Sequence, residues 1–425
     1  MSVLIKVKYF FVSLVLRYYR RGIYYRYYTW LFRKIDSNGR KDLLIKYVNK
    51  CLFRLNVKSR ITKDTIFADL NVSYDKALTK DKLRSILSNY YTFNGLLRSN
   101  TSGSTGMPMT MYFKRKDIQK TYAIWDHYLW LNSIGKNARR VRFSGRLGKR
   151  DPLYIELPLL NTRLYNSYRV EANEISQILR SIVDWKPVLI EGYPSMITTV
   201  AKFLLNSKEE YTFRGLRMIS TTAETLYEWD RNIIENAFKV KVHNQYASSE
   251  GSPFIAECAY GSLHLYLYSG LIKKVCDQDN YLVTSFRSSK FHLINYDIGD
   301  KFVFEETENV IGSKCRCGSI HPVITDILGR NDDFILDYNQ NPIQRLDIVY
   351  KGLYGILESQ IVQYSKESVT IFVKPDSSWD EKMREKLIVN TKSLLGEKMN
   401  VVVELKTSIE KGPNGKFRAV MNKLN

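Results

Sequence analysis

No apolar run in this chain reaches the ~20 residues that a membrane-spanning helix needs. The nearest candidate, Val3 to Leu16, is interrupted by Lys6 and Lys8. No small-residue cleavage site follows it, so a secretory signal is not expected. Cysteine is scarce as well. Cys51, Cys258, Cys276, Cys315 and Cys317 are too few and too uneven for a disulfide scaffold, which points to a reducing, cytoplasmic setting. Internal repeats and low-complexity linkers are lacking, and no convincing catalytic triad is present. Acidic residues are in the minority, 43 against 65 Lys and Arg, for a net charge of +22. Such an excess implies an anionic partner: nucleic acid, a membrane surface or an acidic substrate. No named nucleic-acid motif is present and the charge spreads along the chain, so no specific nucleic acid is expected.

What is present begins with 425 residues at 44% apolar content. That suffices for a full core in two or three domains, or in one large and one small domain. Arg17 to Lys34 interleaves basic residues with Tyr and Trp. Such a helix suits the face of an anionic membrane. It suits equally an amphipathic helix packed on its own domain with solvated arginines, and long amphipathic stretches mostly pack internally. Residues 41–95 read as largely helical. Ile118 to Leu131 repeats apolar residues at helical spacing, and His127 within it is expected to be a packed core or surface residue rather than a base. Arg139 to Arg150 is strongly basic and faces either phosphates or solvent. Val188 to Tyr193 reads as a strand and turn, with Ser195 a candidate N-cap for a helix from Met196 to Leu205. Leu216 to Leu226 is a second strand–turn–helix, and this alternation across residues 140–250 argues for an α/β core. Near the C-terminus, Val369–Val373 and Val401–Leu405 are strand-like, with Asp380–Leu395 helical between them.

The chain is organised around Arg98-Ser-Asn-Thr-Ser-Gly-Ser-Thr-Gly-Met-Pro-Met109. Gly103 and Gly106 sit among Thr101, Ser102, Ser104 and Thr105. Glycine permits close backbone approach to a ligand. Successive N–H groups and hydroxyls can then wrap a polyanion such as a triphosphate. The alternating Met109–Met111–Phe113 that follows is strand-like. No Gly-Lys-Ser/Thr ends the loop, which excludes a Walker motif; a plain Ser/Gly turn between strands is the alternative.

The stretch resembles the phosphate loop of the acyl-adenylate-forming enzymes, the acyl-CoA synthetase superfamily. It is closest to the phenylacetate–CoA ligase-like branch, which includes proteins of capsule and exopolysaccharide gene sets. Five further motifs follow in the family's order, which makes coincidence improbable. Thr222-Ala223-Glu224 resembles the turn that contacts adenine. Asn244-Gln-Tyr246-Ala247-Ser248-Ser249-Glu250 resembles the Tyr-Gly-x-Thr-Glu motif, with Ala247 in place of Gly and Ser249 in place of Thr. The Tyr246 ring offers a purine a stacking face, the Ser249 hydroxyl can reach the α-phosphate, and Glu250 is a hard ligand for Mg²⁺. Tyr296-Asp-Ile-Gly-Asp300 resembles the next motif, whose Asp300 would bind the ribose hydroxyls. Leu328-Gly-Arg330-Asn-Asp332 resembles the hinge motif, with Arg330 near the ribose and Asp332 as pivot. Lys411-Gly-Pro-Asn-Gly-Lys416 resembles the loop carrying the adenylation lysine, Lys416. The resemblance covers most of the chain from Arg98 onward.

A metal site stands apart. Cys258, His264, Cys315 and Cys317 offer three thiolates and an imidazole, the donor set of a structural zinc. Spacing alone balances this against buried thiols. The same branch often carries a similar Cys…His…Cys-x-Cys zinc set. His321 is a rival ligand, and Cys51 and Cys276 are left over as packed thiols.

The resemblance implies a large multi-layer N-terminal α/β domain and a small mobile C-terminal α+β domain. We expect a basic aromatic helical region over residues 1–90, the adenylating domain over 91–331 and the small domain over 332–425. The implied chemistry is adenylation of a carboxylic acid by Mg·ATP, giving acyl-AMP and pyrophosphate. The acyl group then passes to coenzyme A, an amino sugar or another amine, in capsular or other surface polysaccharide synthesis. Residues 1–34 add an expected peripheral contact with the inner face of an anionic membrane. The alternative is a non-catalytic relative acting as a basic membrane-associated or nucleic-acid-binding protein.

Overall fold

The computed structural model describes residues 3–58, 60–63, 73–88, 96–100, 109–145, 147, 151–169, 171–275, 280–288, 290–304, 311–312, 315–330, 334–343, 346–350, 352–409 and 417–424. Three helices come first: α1 (Val3–Arg20), α2 (Ile23–Asp36) and α3 (Lys41–Arg54). Helix α4 (Lys80–Ser88) follows, then an antiparallel hairpin of β1 (Leu97–Asn100) and β2 (Thr110–Phe113), and α5 (Arg115–Leu131). The central region runs β3 (Arg140–Ser144), β4 (Tyr154–Leu157), β5 (Thr162–Asn166), α6 (Ala172–Trp185), β6 (Leu189–Gly192), α7 (Pro194–Asn206), β7 (Met218–Thr222), α8 (Glu228–Phe238) and β8 (Val242–Ala247). Strands β9 (Phe254–Glu257), β10 (Leu263–Leu265), β11 (Gly270–Lys274), β12 (Tyr281–Ser285), β13 (Tyr296–Asp297), β14 (Asp300–Val303), β15 (Val323–Ile324) and β16 (Asp326–Arg330) follow.

Nine of these strands form one sheet in the order β15-β10-β9-β8-β7-β6-β3-β5-β4. Its middle, β5-β3-β6-β7-β8, is parallel, and the strands outside it pair antiparallel. The parallel strands are buried on both faces, as a sheet covered by helices on either side must be. Alternation sorts the two faces. Ile190 and Ile219 pack with Ile178, Ile197 and Ile234 of α6, α7 and α8. Their neighbours Leu189 and Met218 turn the other way, into a core shared with Tyr128 of α5. Phe32 of α2, Leu44 of α3 and Phe113 of β2 belong to that same core, so the N-terminal helices build part of the large domain's packing. His127 is fully buried there and its Nε2 lies 2.5 Å from the Asp36 carboxylate at the end of α2, which makes it the packed residue expected.

The remaining elements are β17 (Ile335–Leu336), β18 (Pro342–Ile343), β19 (Ile356–Ser365), β20 (Ser368–Pro375), α9 (Glu381–Leu395), β21 (Asn400–Leu405) and β22 (Val420–Asn422). A four-stranded sheet β21-β20-β19-β22 packs with α9 around Ile371, Leu387 and Val403. Helix α9 starts where Asp380 accepts a hydrogen bond from the Met383 N–H at 2.9 Å, the acceptor an exposed helix start requires. Lys202 of α7 donates to the carbonyls of Ile356 and Leu357 at 2.6 and 2.8 Å, tying this small domain to the large one.

One local expectation is corrected. Ser195 does not cap α7. Pro194 occupies the first turn, where its fixed φ and missing N–H cost nothing, so the cap falls on Tyr193. The Ser195 backbone N–H instead donates to the Glu224 carboxylate at 3.1 Å. The basic stretch after Arg139 is also resolved in part. Arg140 pairs with Asp126 at 3.0 Å and Arg142 with Glu191 at 2.8 Å, so these two arginines neutralise buried acids.

Candidate functional site

The carboxyl ends of parallel strands are where open α/β sheets bind ligands, and the ends of β7 and β8 carry two of the motifs. After β7 the chain turns through Ala223 with φ +71°, a left-handed conformation that a residue with a Cβ seldom takes. The turn aims the Glu224 carboxylate at two backbone donors. One oxygen accepts from Ser195 at the start of α7, where the helix dipole favours negative charge. The other accepts from the Phe417 N–H at 2.7 Å. Phe417 follows Lys416 directly in the small domain.

Tyr246 lies near the end of β8 and its hydroxyl donates to the Asp300 carboxylate. The Tyr246 ring meets Phe302 edge-on at 5.6 Å, which fixes its plane. Asp300 opens β14 and pairs in register with Arg330 at the end of β16. Three motifs spread over 84 residues are thereby placed together. Sheet pairing does this: 30 residues separate Asp300 from Arg330, yet the ladder makes them neighbours.

Glu250 is buried and accepts from the Tyr296 hydroxyl at 3.3 Å. Its turn is set by Ser248, whose hydroxyl accepts from the N–H groups of Gly251 and Ser252 at 3.1 and 3.2 Å. Ser249 stands exposed beside it. Arg287 crosses this turn, and nothing in the sequence singled it out. Its guanidinium lies 4.1 Å over the ring of Phe113, the last residue of β2. Its Nε is buried with no hydrogen-bond partner among the described residues. Burial holds its pKa down to about 10, against the opposing charges of Tyr122, Asp117 and Glu250. Gly251 makes the crossing possible. It has φ +101°, and a Cβ there would lie 2.0 Å from Arg287 Cδ. Gly251→Ala is therefore expected to lower stability by roughly 1–3 kcal/mol, read as a lower urea midpoint at unchanged slope.

The β1–β2 ladder ends at Asn100 opposite Thr110. Ser102, Gly103, Ser104, Thr105 and Gly106 lie outside the described residues, as do Asp332 and Lys416. The roots of the glycine loop are nevertheless placed, on a hairpin whose second strand ends under Arg287.

The metal-ligating candidates do converge. One donor atom each of Cys258, His264, Cys315 and Cys317 lies within 4.8 Å of all the others. The Cys258 and Cys315 sulfurs are 3.8 Å apart. Thiolates 2.3 Å from a tetrahedral zinc would be separated by about 3.8 Å, whereas a disulfide would need about 2.05 Å. Cys317 Sγ is 3.3 Å from His264 Nε2, and His264 Nδ1 lies 3.0 Å from the His321 carbonyl. That outer contact leaves Nε2 as the metal-facing atom. Backbone N–H groups of Tyr260 and Ser319 donate to the Cys258 and Cys317 sulfurs, both at 3.4 Å. Hydrogen bonds from Cys317 and His264 hold the Cys258 thiol far below its ordinary range, against the effect of burial. The donor set and its spacing fit zinc with all four positions filled by protein. His321 is not a ligand: its Nδ1 accepts from the Leu267 N–H at 3.3 Å and its Nε2 faces Asp36 at 3.6 Å. Cys51 is a partly buried free thiol, and Cys276 lies outside the described residues.

This architecture, a large mixed α/β sheet domain with a smaller C-terminal domain, is the fold of the acyl-CoA and other adenylate-forming ligases. It matches 2-hydroxyisobutyryl-CoA ligase in the postadenylation state with R3-HIB-AMP, at a TM-score of 0.68 and 17% identity, over 92% of this chain and 90% of that one. It also matches an anthranilate CoA ligase in complex with anthranoyl-AMP, at a TM-score of 0.53 and 15% identity, over 76% of this chain and 66% of that one. In sequence the chain is similar to CapK. Residues 339–423 match the CapK C-terminal domain family. Protein CapK of Staphylococcus aureus is 27% identical over 412 residues, 94% of this chain and 85% of that protein.

Proposed function

We propose that this protein is an adenylate-forming ligase of the phenylacetate–CoA ligase-like type. It activates a carboxylic acid as its acyl-AMP and hands the acyl group to coenzyme A or to an amine. The observation that carries the reading is the meeting, at the carboxyl edge of the parallel strands, of the Ala223–Glu224 turn, the Tyr246–Asp300 pair and the backbone beside Lys416.

In the first half-reaction a carboxylate oxygen bonds to the α-phosphorus of ATP, and the bond from that phosphorus to the pyrophosphate oxygen breaks. Tyr246 offers a face for the adenine, and Asp300 and Arg330 flank the ribose. The Arg98–Met109 loop holds the β- and γ-phosphates. Glu250 supplies the hard oxygen that Mg²⁺ prefers, and the ion would offset phosphate charge there. Arg287 adds a buried cation near Glu250, at the end of the hairpin away from that loop. The work is positioning and charge neutralisation, with no nucleophilic side chain needed. The small domain then turns about Asp332 for acyl transfer. The branch resemblance and the similarity to CapK support a setting in capsular or other surface polysaccharide synthesis.

Carboxylate-dependent ATP–pyrophosphate exchange across a panel of aryl acids, hydroxy acids and amino acids tests the reading. Exchange with one class names the acyl donor. Failure with every acid, together with no binding of Mg·ATP, would sink it. Glu224 supplies a sharper test, since it joins the start of α7 to the lysine loop. Glu224→Ala is expected to slow exchange roughly 10–100-fold, the loss of a charge-assisted hydrogen bond of ~1.5–3 kcal/mol. Glu224→Gln, which keeps one acceptor oxygen but sets its NH2 against the second N–H, should fall between wild type and Glu224→Ala. Equal rates for wild type and Glu224→Ala would remove Glu224 from the mechanism.

A further inference from the structure

Helix α2 buries Tyr25, Phe32 and Ile35, yet α1 and α2 both leave a second set of large apolar side chains exposed. An amphipathic helix ordinarily turns its apolar stripe inward and its charges outward. Here α1 sets Tyr9 and Leu16 against the small cluster around Leu157 and Leu160, with the buried Ser13 between them. Phe10, Phe11, Leu14, Val15 and Tyr18 face out, with Phe11 59% exposed. Helix α2 exposes Ile23 at 77%, Tyr27 at 50% and Trp30 at 56%. Among the described residues, half of the exposed large apolar side chains lie in these two helices.

Loose packing does not account for it. The inner side of α2 is held by Phe32 stacked on Tyr268 at 3.9 Å and by polar anchors. Gln119 accepts from the N–H groups of Tyr24 and Tyr25 at 3.1 and 3.3 Å. The Tyr25 hydroxyl donates to Asp126 at 2.7 Å, and Asp36 closes the helix against His127. The second apolar set is thus fixed outward. A concentration of exposed large apolar side chains of this kind marks an interaction site.

Charge selects the partner. Residues 1–35 contain eight Lys and Arg and no Asp or Glu. Lys8, Arg17, Arg26 and Lys34 are exposed beside the aromatic face. Outward aromatic and aliphatic side chains with a rim of uniform positive charge match the headgroup boundary of an anionic bilayer. No described helix is long and apolar enough to cross a membrane. We infer that α1 and α2 form a peripheral docking surface for anionic phospholipid, lying in the plane of the bilayer.

The test is co-sedimentation of the full-length protein with vesicles of phosphatidylglycerol and phosphatidylcholine, against phosphatidylcholine alone. We expect at least tenfold stronger partition onto the anionic vesicles, weakened by salt. F10D/F11D should reduce it tenfold or more, and R17E/R26E should abolish the preference for anionic lipid. These side chains are exposed, so both variants should keep the wild-type thermal transition. A variant that fails to fold is replaced by W30A, with the same expectation in direction. Absence of binding to either vesicle, or unchanged binding by F10D/F11D, would overturn the inference. So would a lipid-independent dimer that F10D/F11D dissociates, because the face would then belong to a second copy of the chain.

Discussion

Replacing Lys416 by alanine is expected to lower carboxylate-dependent ATP–pyrophosphate exchange by about 10²–10³-fold, the typical cost of deleting one group that meets charge developing in a transition state. Negative charge on the α-phosphoryl oxygens changes little on binding ATP and most as the carboxylate attacks. An ammonium aimed at that atom therefore acts on the rate far more than on affinity. Binding of Mg·ATP by K416A, followed by calorimetry, should stay within a few-fold of wild type. The structure places the residue after the lysine. Its neighbour Phe417 is held by Glu224, and the small domain is held by Lys202. If K416A and wild type exchange pyrophosphate equally with a given acid, Lys416 is not the adenylation lysine.

The second large effect concerns the metal. Chain expressed with zinc should carry one zinc per molecule by elemental analysis, and C315S/C317S should carry none. Two of the four donors would be lost, and the loop containing them is tied to the nine-stranded sheet through β15 and β10. Loss of a structural metal is among the few single causes of destabilisation beyond ~4 kcal/mol. For a domain of this size that is a fall of roughly 10 °C in Tm. Treatment of the wild type with a strong chelator should produce the same fall, reversed by added zinc. The prediction fails if C315S/C317S melts with the wild type, since close-packed thiols without metal would lose only a few contacts.

The distinction between these residues and others lies in what a linear pattern can report. The alternation of strand and helix across residues 140–250 is written in apolar periodicity, because each element must bury one side whatever its neighbours are. Helix α9 was readable for the same local reason. The motif residues Ala223, Glu224, Tyr246, Glu250 and Asp300 were identifiable because each sits in a short, ordered string. Ser195 was misplaced as a cap because the position of Pro194 within the first turn outweighs the preference for a hydroxyl. Arg287 carried no signal at all: its significance depends on Phe113 and Gly251, 174 and 36 residues away in sequence.

By itself, then, the amino-acid sequence determined the class of fold, the order of the motifs, the excess of positive charge and the four metal-binding candidates. The charge and the α/β alternation follow from local composition and spacing, and the motifs and the metal set from these together with the family resemblance. Only the tertiary structure decided which donors meet. It put Cys258 beside Cys315 and assigned His321 to Asp36 instead of the metal. It joined Tyr246 to Asp300 and Glu224 to the residue after Lys416. It also divided α2, burying Tyr25, Phe32 and Ile35 and leaving Ile23, Tyr27 and Trp30 exposed. Periodicity shows that a helix has two faces. Which one is buried depends on what other elements present, here Tyr268 together with Gln119, Asp126 and His127 of α5.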